Sequence, residues 1–134
     1  MEKTVNLNLP KDVYVNVYIS AKGRYSSDVV IKDDITEKIK VHKDDCDPKF
    51  QVIKISDEKN YFRSQSSNLQ MTVSFLNKNK EPNPNIIKMA STENTLVSEV
   101  DGSVIGYARN YCFEDHTDDN YSDLMISIIA CKKY

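Results

Sequence analysis

Tryptophan is absent from this chain, and glycine, proline and cysteine are scarce, at three, four and three residues. So little glycine and proline sets aside collagen-like and low-complexity classes. The cysteines, Cys46, Cys112 and Cys131, are odd in number and have no C-x-x-C spacing. That argues against a disulfide framework or a thiolate metal site and for small thiols, buried or half-exposed. A Cys112–Cys131 bridge is not expected, because a hairpin closing around residues 117–120 pairs Cys112 with a position near Met125. No apolar run is long enough to span a bilayer. An excess of basic charge is also missing: 18 Lys and Arg face 20 Asp and Glu, for a net charge of -2. A nucleic-acid partner is therefore not expected, since phosphate binding needs a basic surface. The opening residues, MEKTVNLNLPKD, lack the apolar stretch of a secretory signal. The expectation is a chain that stays in the cytoplasm or leaves by a route its sequence does not display.

What is present is the ordinary composition of one globular domain over residues 1–134, with 40% hydrophobic and 28% charged residues. The dominant pattern is period-two alternation. Val5, Leu7 and Leu9 alternate with polar neighbours, as do Val13, Val15, Val17 and Ile19, and again Leu69, Met71, Val73 and Phe75. Alternation of this kind places the apolar side chains on one face of a strand. Shorter β-compatible runs follow at Val29–Ile31, Ile39–Val41, Phe50–Ile55, Ile86–Met89, Leu96–Val100, Val104–Phe113 and Leu124–Cys131. Turn-rich stretches separate them, among them Asp101-Gly102, a hairpin signal. Ile31 to Ile39 is compatible with a turn of helix. About nine short strands at this spacing predict an all-β fold, an antiparallel β-sandwich or closed barrel, of which the sandwich is favoured.

The segment Phe113 to Ile128 (FEDHTDDNYSDLMISI) stands out. Glu114, Asp115, Asp118, Asp119 and Asp123 crowd between two strand-like runs, with Asn120 and Ser122 as neutral oxygen donors. Close carboxylates repel by about 1 kcal/mol per pair even at the dielectric of water. Calcium, a hard cation taking roughly six to eight oxygen ligands, is the partner such a set suits. Most Asp-rich stretches are merely solvated loops, but here strands hold both ends and Tyr121 interrupts the acids. The order of residues is not that of an EF-hand. A second acidic patch, Asp44, Asp45 and Asp47 around Cys46, is expected to be an ordinary polar turn.

The segment E-D-H-T-D-D-N-Y-S-D resembles the E-D-G-T-D-N-D-Y-N-D loop of the small bacterial calcium-dependent fucose/mannose-binding lectins. The resemblance extends through LMISII and, more faintly, to VNLNLPKDVYVNVYISAKG and NLQMTVSFLNKNKEPN. It implies a nine-stranded β-sandwich in which one or two calcium ions coordinate sugar hydroxyls. Carried over by position, it makes Glu114, Asp118, Asn120, Ser122 and Asp123 the metal ligands. Asp115, Asp118 and Gly23 become the carbohydrate-binding residues. Asn120 stands where the family has a bridging aspartate, Ser122 where it has a ligating asparagine, and Asp119 adds a carboxylate one position early. The family's first loop, Asn-Ser-Ser-Gly, corresponds here to Ser20-Ala21-Lys22-Gly23, which loses an amide ligand and two hydroxyls. The family also draws a C-terminal carboxylate from a partner subunit, whereas this chain ends in Cys131-Lys132-Lys133-Tyr134. These departures favour one occupied calcium site and a weakened second.

The resulting expectation is a calcium-dependent lectin, a homo-oligomer that binds a fucose- or mannose-type sugar. Its alternative is a sandwich in which calcium only stiffens a loop for assembly, with no sugar bound. Enzymatic activity ranks low: Glu114 and Asp118 could form an acid–base pair, but so small a sandwich leaves little room for a deep cleft. His42 and His116 are the only histidines and are far apart in sequence, so a zinc site is not expected. Of the tyrosines, Tyr14, Tyr18, Tyr25, Tyr107, Tyr111 and Tyr121 flank the two loops. They are read as sheet-surface or interface residues rather than sugar platforms.

Overall fold

A computed structural model describes residues 2–55, 59–115 and 120–133. Ten strands run in chain order: β1 (Glu2–Asn6), β2 (Tyr14–Ala21), β3 (Ser27–Lys32), β4 (Glu37–Lys43), β5 (Gln51–Ile53), β6 (Tyr61–Arg63), β7 (Gln70–Phe75), β8 (Lys88–Val97), β9 (Val104–Glu114) and β10 (Leu124–Cys131). They form two antiparallel sheets, one ordered β1-β7-β3-β4 and the other β5-β2-β10-β9-β8, with β6 also pairing β2. The all-β sandwich read from alternation is the observed fold. The strands number ten rather than nine, and no helix occurs among the described residues.

The core lies between the sheets and is filled by the alternating side chains. Val13, Val15, Val17 and Ile19 from one sheet meet Leu69, Met71, Val73 and Phe75 from the other, all buried. Burying each such side chain contributes roughly 1.5–3 kcal/mol before the entropy of ordering the chain is set against it. Arg109 is also buried, its guanidinium donating to the carbonyls of Leu7, Asn8, Asn94 and Ala108 at 2.8–3.1 Å. It thereby ties the chain beyond β1 to β8 and β9.

Where a helical turn was expected between Ile31 and Ile39, the chain makes a β3–β4 hairpin. Asp33 Oδ1 accepts the N–H groups of Ile35 and Thr36, each at 2.8 Å. This side-chain turn gives the backbone a local alternative to helical bonding. Asp101-Gly102 does close a hairpin, between β8 and β9, with Gly102 at φ +74° donating its N–H to the Ser98 carbonyl. A residue with a side chain is strained in that conformation. The runs Ile86–Met89 and Leu96–Val100, read as separate strands, overlap the two ends of the single ten-residue β8. Cys112 pairs with Met125 across β9 and β10, as the hairpin argument required, and all three cysteines are free.

Candidate functional site

The acidic segment sits where β9 leaves the six-stranded sheet and β10 re-enters it. The last pair of that ladder is Phe113 with Leu124. One step further along the same register, Glu114 comes abreast of Asp123. On the other flank β10 pairs Met125 with Ser20 of β2, which brings Asp123 abreast of Lys22. Two backbone bonds fix this junction: Lys22 N–H to the Ser122 carbonyl at 2.9 Å and Gly23 N–H to the Asp123 carbonyl at 3.3 Å. The first loop, Ser20 to Gly23, and the acidic loop therefore meet. Gly23 serves that meeting through its lack of a side chain. A Cβ there would lie 3.0 Å from the Asp123 carbonyl oxygen and 3.3 Å from its Cα.

The carboxylates of Glu114, Asp115 and Asp123 converge, with one oxygen from each lying within 4.8 Å of the others. Glu114 is fully buried and Asp115 nearly so. Backbone amides hold the cluster in shape. Glu114 Oε2 accepts the N–H groups of Asn120 (3.2 Å) and Tyr121 (3.3 Å), and Asp123 Oδ2 accepts that of Asp115 (3.0 Å). Tyr121 lies at φ +54°, the left-handed conformation that turns the chain back toward β10. Asn120 Oδ1 receives the N–H and hydroxyl of Ser122 at 3.2 and 3.3 Å. Burial pushes the Asp123 carboxyl above its ordinary value. The Glu114 hydrogen bond pulls it down in part, and the Asp115 side chain raises it again.

Such a set of oxygens suits a hard cation. Three carboxylates crowded in a half-buried place repel one another, and a divalent ion converts that repulsion into attraction. Of the ligands expected from sequence, Glu114 and Asp123 lie in the cluster, Asn120 reaches it through its backbone N–H, and Ser122 bonds the Asn120 side chain. Asp118, Asp119 and His116 lie outside the described residues. Asp115, expected to touch sugar, brings its carboxylate into the same cluster, so it can face an ion as readily as a sugar hydroxyl. Asn83 and Asn85 were not anticipated. Their side-chain amides both donate to the Asp115 carbonyl, at 3.4 and 3.3 Å. Only the spatial return of the 77–85 turn to β9 reveals them, and no local pattern announces it.

No protein-family model matches this chain, and no curated protein does. Solved structures do. The C-terminal domain of the BC2L-C lectin from Burkholderia cenocepacia superposes with a TM-score of 0.62 at 17% identity, covering 96% of this chain and 97% of its own. The high-affinity mannose-binding lectin of Ralstonia solanacearum gives 0.55 at 16% identity, over 94% and 93%. The Chromobacterium violaceum lectin CV2L, in complex with alpha-methyl-fucoside, gives 0.54 at 16%, again over 94% and 93%. At such identities the likeness speaks for the fold, and it spans nearly all of each chain. This protein has the β-sandwich architecture of these bacterial lectins.

Proposed function

We propose that the protein is a calcium-dependent carbohydrate-binding protein, with its site at the loop end of the six-stranded sheet. The observation that carries this reading is the convergence of the Glu114, Asp115 and Asp123 carboxylates within 4.8 Å. They converge on a sandwich shared with proteins named as mannose-binding or solved with a fucoside. Glu114, Asp118, Asn120, Ser122 and Asp123 hold one calcium ion, or two. Vicinal sugar hydroxyls complete the coordination, and Asp115, Asp118 and the Gly23 backbone accept or orient them. A cation bound this way offers open positions to neutral oxygen ligands, which is what a sugar diol supplies. The role is binding rather than catalysis.

A second reading gives calcium a purely structural part, stiffening the loop for assembly. It draws support from the first loop, where Ser20, Ala21 and Lys22 offer no amide oxygen to a second ion. A sugar array run in calcium and again in chelator separates the two. Sugar retained only in calcium supports the lectin. Calcium bound with no sugar retained replaces it by the assembly module.

Single sites of this kind bind weakly and gain from multivalency. β8 is the outermost strand of its sheet and ten residues long, an edge that natural sheets seldom leave bare. We therefore expect a symmetric homo-oligomer. Sedimentation as a 15.4 kDa species at micromolar concentration would contradict it.

A further inference from the structure

At the site's other border stands a cation, Lys22. β2 and β5 pair Ala21 with Gln51, so the next step outward sets Lys22 opposite Phe50. The Lys22 ammonium lies 5.4 Å from the centre of the Phe50 ring, a cation–π contact. Lys22 is abreast of Asp123 on its other side, yet it makes no ion pair with a described carboxylate. The ring that holds it is 65% exposed. The row beneath, Ser20 and Met125, lines a concavity of about 560 Å³ on the sheet's outer face. Open space thus begins two residues along β2 from Lys22.

We infer that the ligand is an acidic sugar whose carboxylate is met by Lys22, with Phe50 keeping the ammonium in position; this rests on the calcium-dependent binding proposed above. The cation in the loop occupies the acids, and their remaining field is diffuse and screened within about 8 Å at physiological salt. Lys22 is a point charge with three ammonium donors, and at hydrogen-bond distance that local term wins. Phe50 spares the lysine side chain some of the ordering cost of binding. A neutral sugar gains nothing from either residue, so the pair acts on specificity.

The test is titration of the protein in calcium with paired methyl glycosides: mannuronate against mannose, galacturonate against galactose, glucuronate against glucose. In at least one pair the uronide should bind about tenfold more tightly than its neutral partner. That preference should collapse in Lys22→Gln and persist in Lys22→Arg and in the remote control Lys32→Gln. Neutral sugars bound as well as uronides, with Lys22→Gln leaving the ratios unchanged, would overturn the inference and leave the lectin reading standing. If calcium binds but neither member of any pair does, both fall together.

Discussion

Two acidic patches lie in this molecule, built from the same residue types and settled in opposite ways. In the Asp44–Asp47 turn two of the three carboxylates have a partner of opposite sign or a donor. Asp45 pairs with Lys80 at 2.8 Å and accepts the Ser26 N–H at 2.7 Å, while Asp44 lies 3.2 Å from His42. The hydrogen bond from Lys80, foremost, holds the Asp45 carboxyl below its ordinary value, against a smaller opposing effect of desolvation. At the end of β9 the acids instead meet one another, with Glu114 fully buried, and burial raises Asp123. Carboxylates are thus a poor guide by themselves. What sets the β9 cluster apart is that its acids are brought together by strand register and held there by backbone amides, at a desolvation cost.

The difference should appear first in the response to calcium. A ligand that binds only the folded state adds RT ln(1 + [L]/Kd), roughly 2.7 kcal/mol at a hundredfold excess. At this length that raises Tm by about 10 °C. Scanning calorimetry in calcium and in chelator measures it. Superimposable curves would remove the distinction between the patches and the cation assignment with it.

Asp123→Asn sharpens the comparison next. Calcium titration should lose most of its heat, because hard-cation affinity depends on ligand charge. In chelator the same variant should melt slightly higher than the parent, by roughly 1 kcal/mol or less, since one member of a repelling trio is gone. Asp45→Asn should leave calcium binding intact. If Asp45→Asn weakens calcium and Asp123→Asn does not, the roles of the two patches have been exchanged.

How far this was legible in the sequence depends on the residue. Strands with one buried face announced themselves: the alternations over Val13–Ile19 and Leu69–Phe75 coincide with β2 and β7, because the core demands every second side chain. β8 did not. Its central residues, Ala90 to Thr95, are exposed throughout, so an edge strand held by its ladder to β9 reads as polar filler between two apolar runs. β6, three residues long, is too short to carry a period. The acidic loop was visible because its carboxylates are close in sequence. Asn83, Asn85 and Phe50 were not, since their places at the site come from register and from a returning turn. Gly23 entered only through the family resemblance, as a carbohydrate-binding residue; what the structure adds is its close packing on Asp123, where a Cβ would lie 3.0 Å from the carbonyl oxygen.

Gly23→Ala probes that approach with a smaller effect. A methyl group 3.0 Å from the Asp123 carbonyl oxygen is tighter than ordinary contact, so the two loops must part by a few tenths of an ångström. Misplacing one ligand by so little should weaken calcium about threefold to tenfold while the far end of the sandwich is untouched. Titration of calcium, with Tm in chelator as the control, distinguishes loop displacement from general unfolding. An unchanged calcium affinity would mean that the first loop does not brace the acidic one.

The smallest effect belongs to pH, and its sign differs between the patches. Asp45 has a folded value below 3.8, so its contribution is present above 3.8 and is lost as the pH falls through the lowered value. Asp123 has a folded value above 3.8. In chelator its contribution is present below 3.8 and is lost as the pH rises through the raised value. Acidifying the metal-free protein should therefore relieve strain at the β9 end before it breaks the Lys80–Asp45 pair. Lys80→Met should make the acid limb of the stability profile slightly shallower, and no more, because an exposed pair in water contributes little. Asp123→Asn should flatten the rise that the metal-free parent shows on mild acidification. Melting temperatures across the acid range, in chelator, test both. A Lys80→Met variant that alters calcium binding or loses its fold at neutral pH would show that the Asp44–Asp47 turn is more than a neutralised surface.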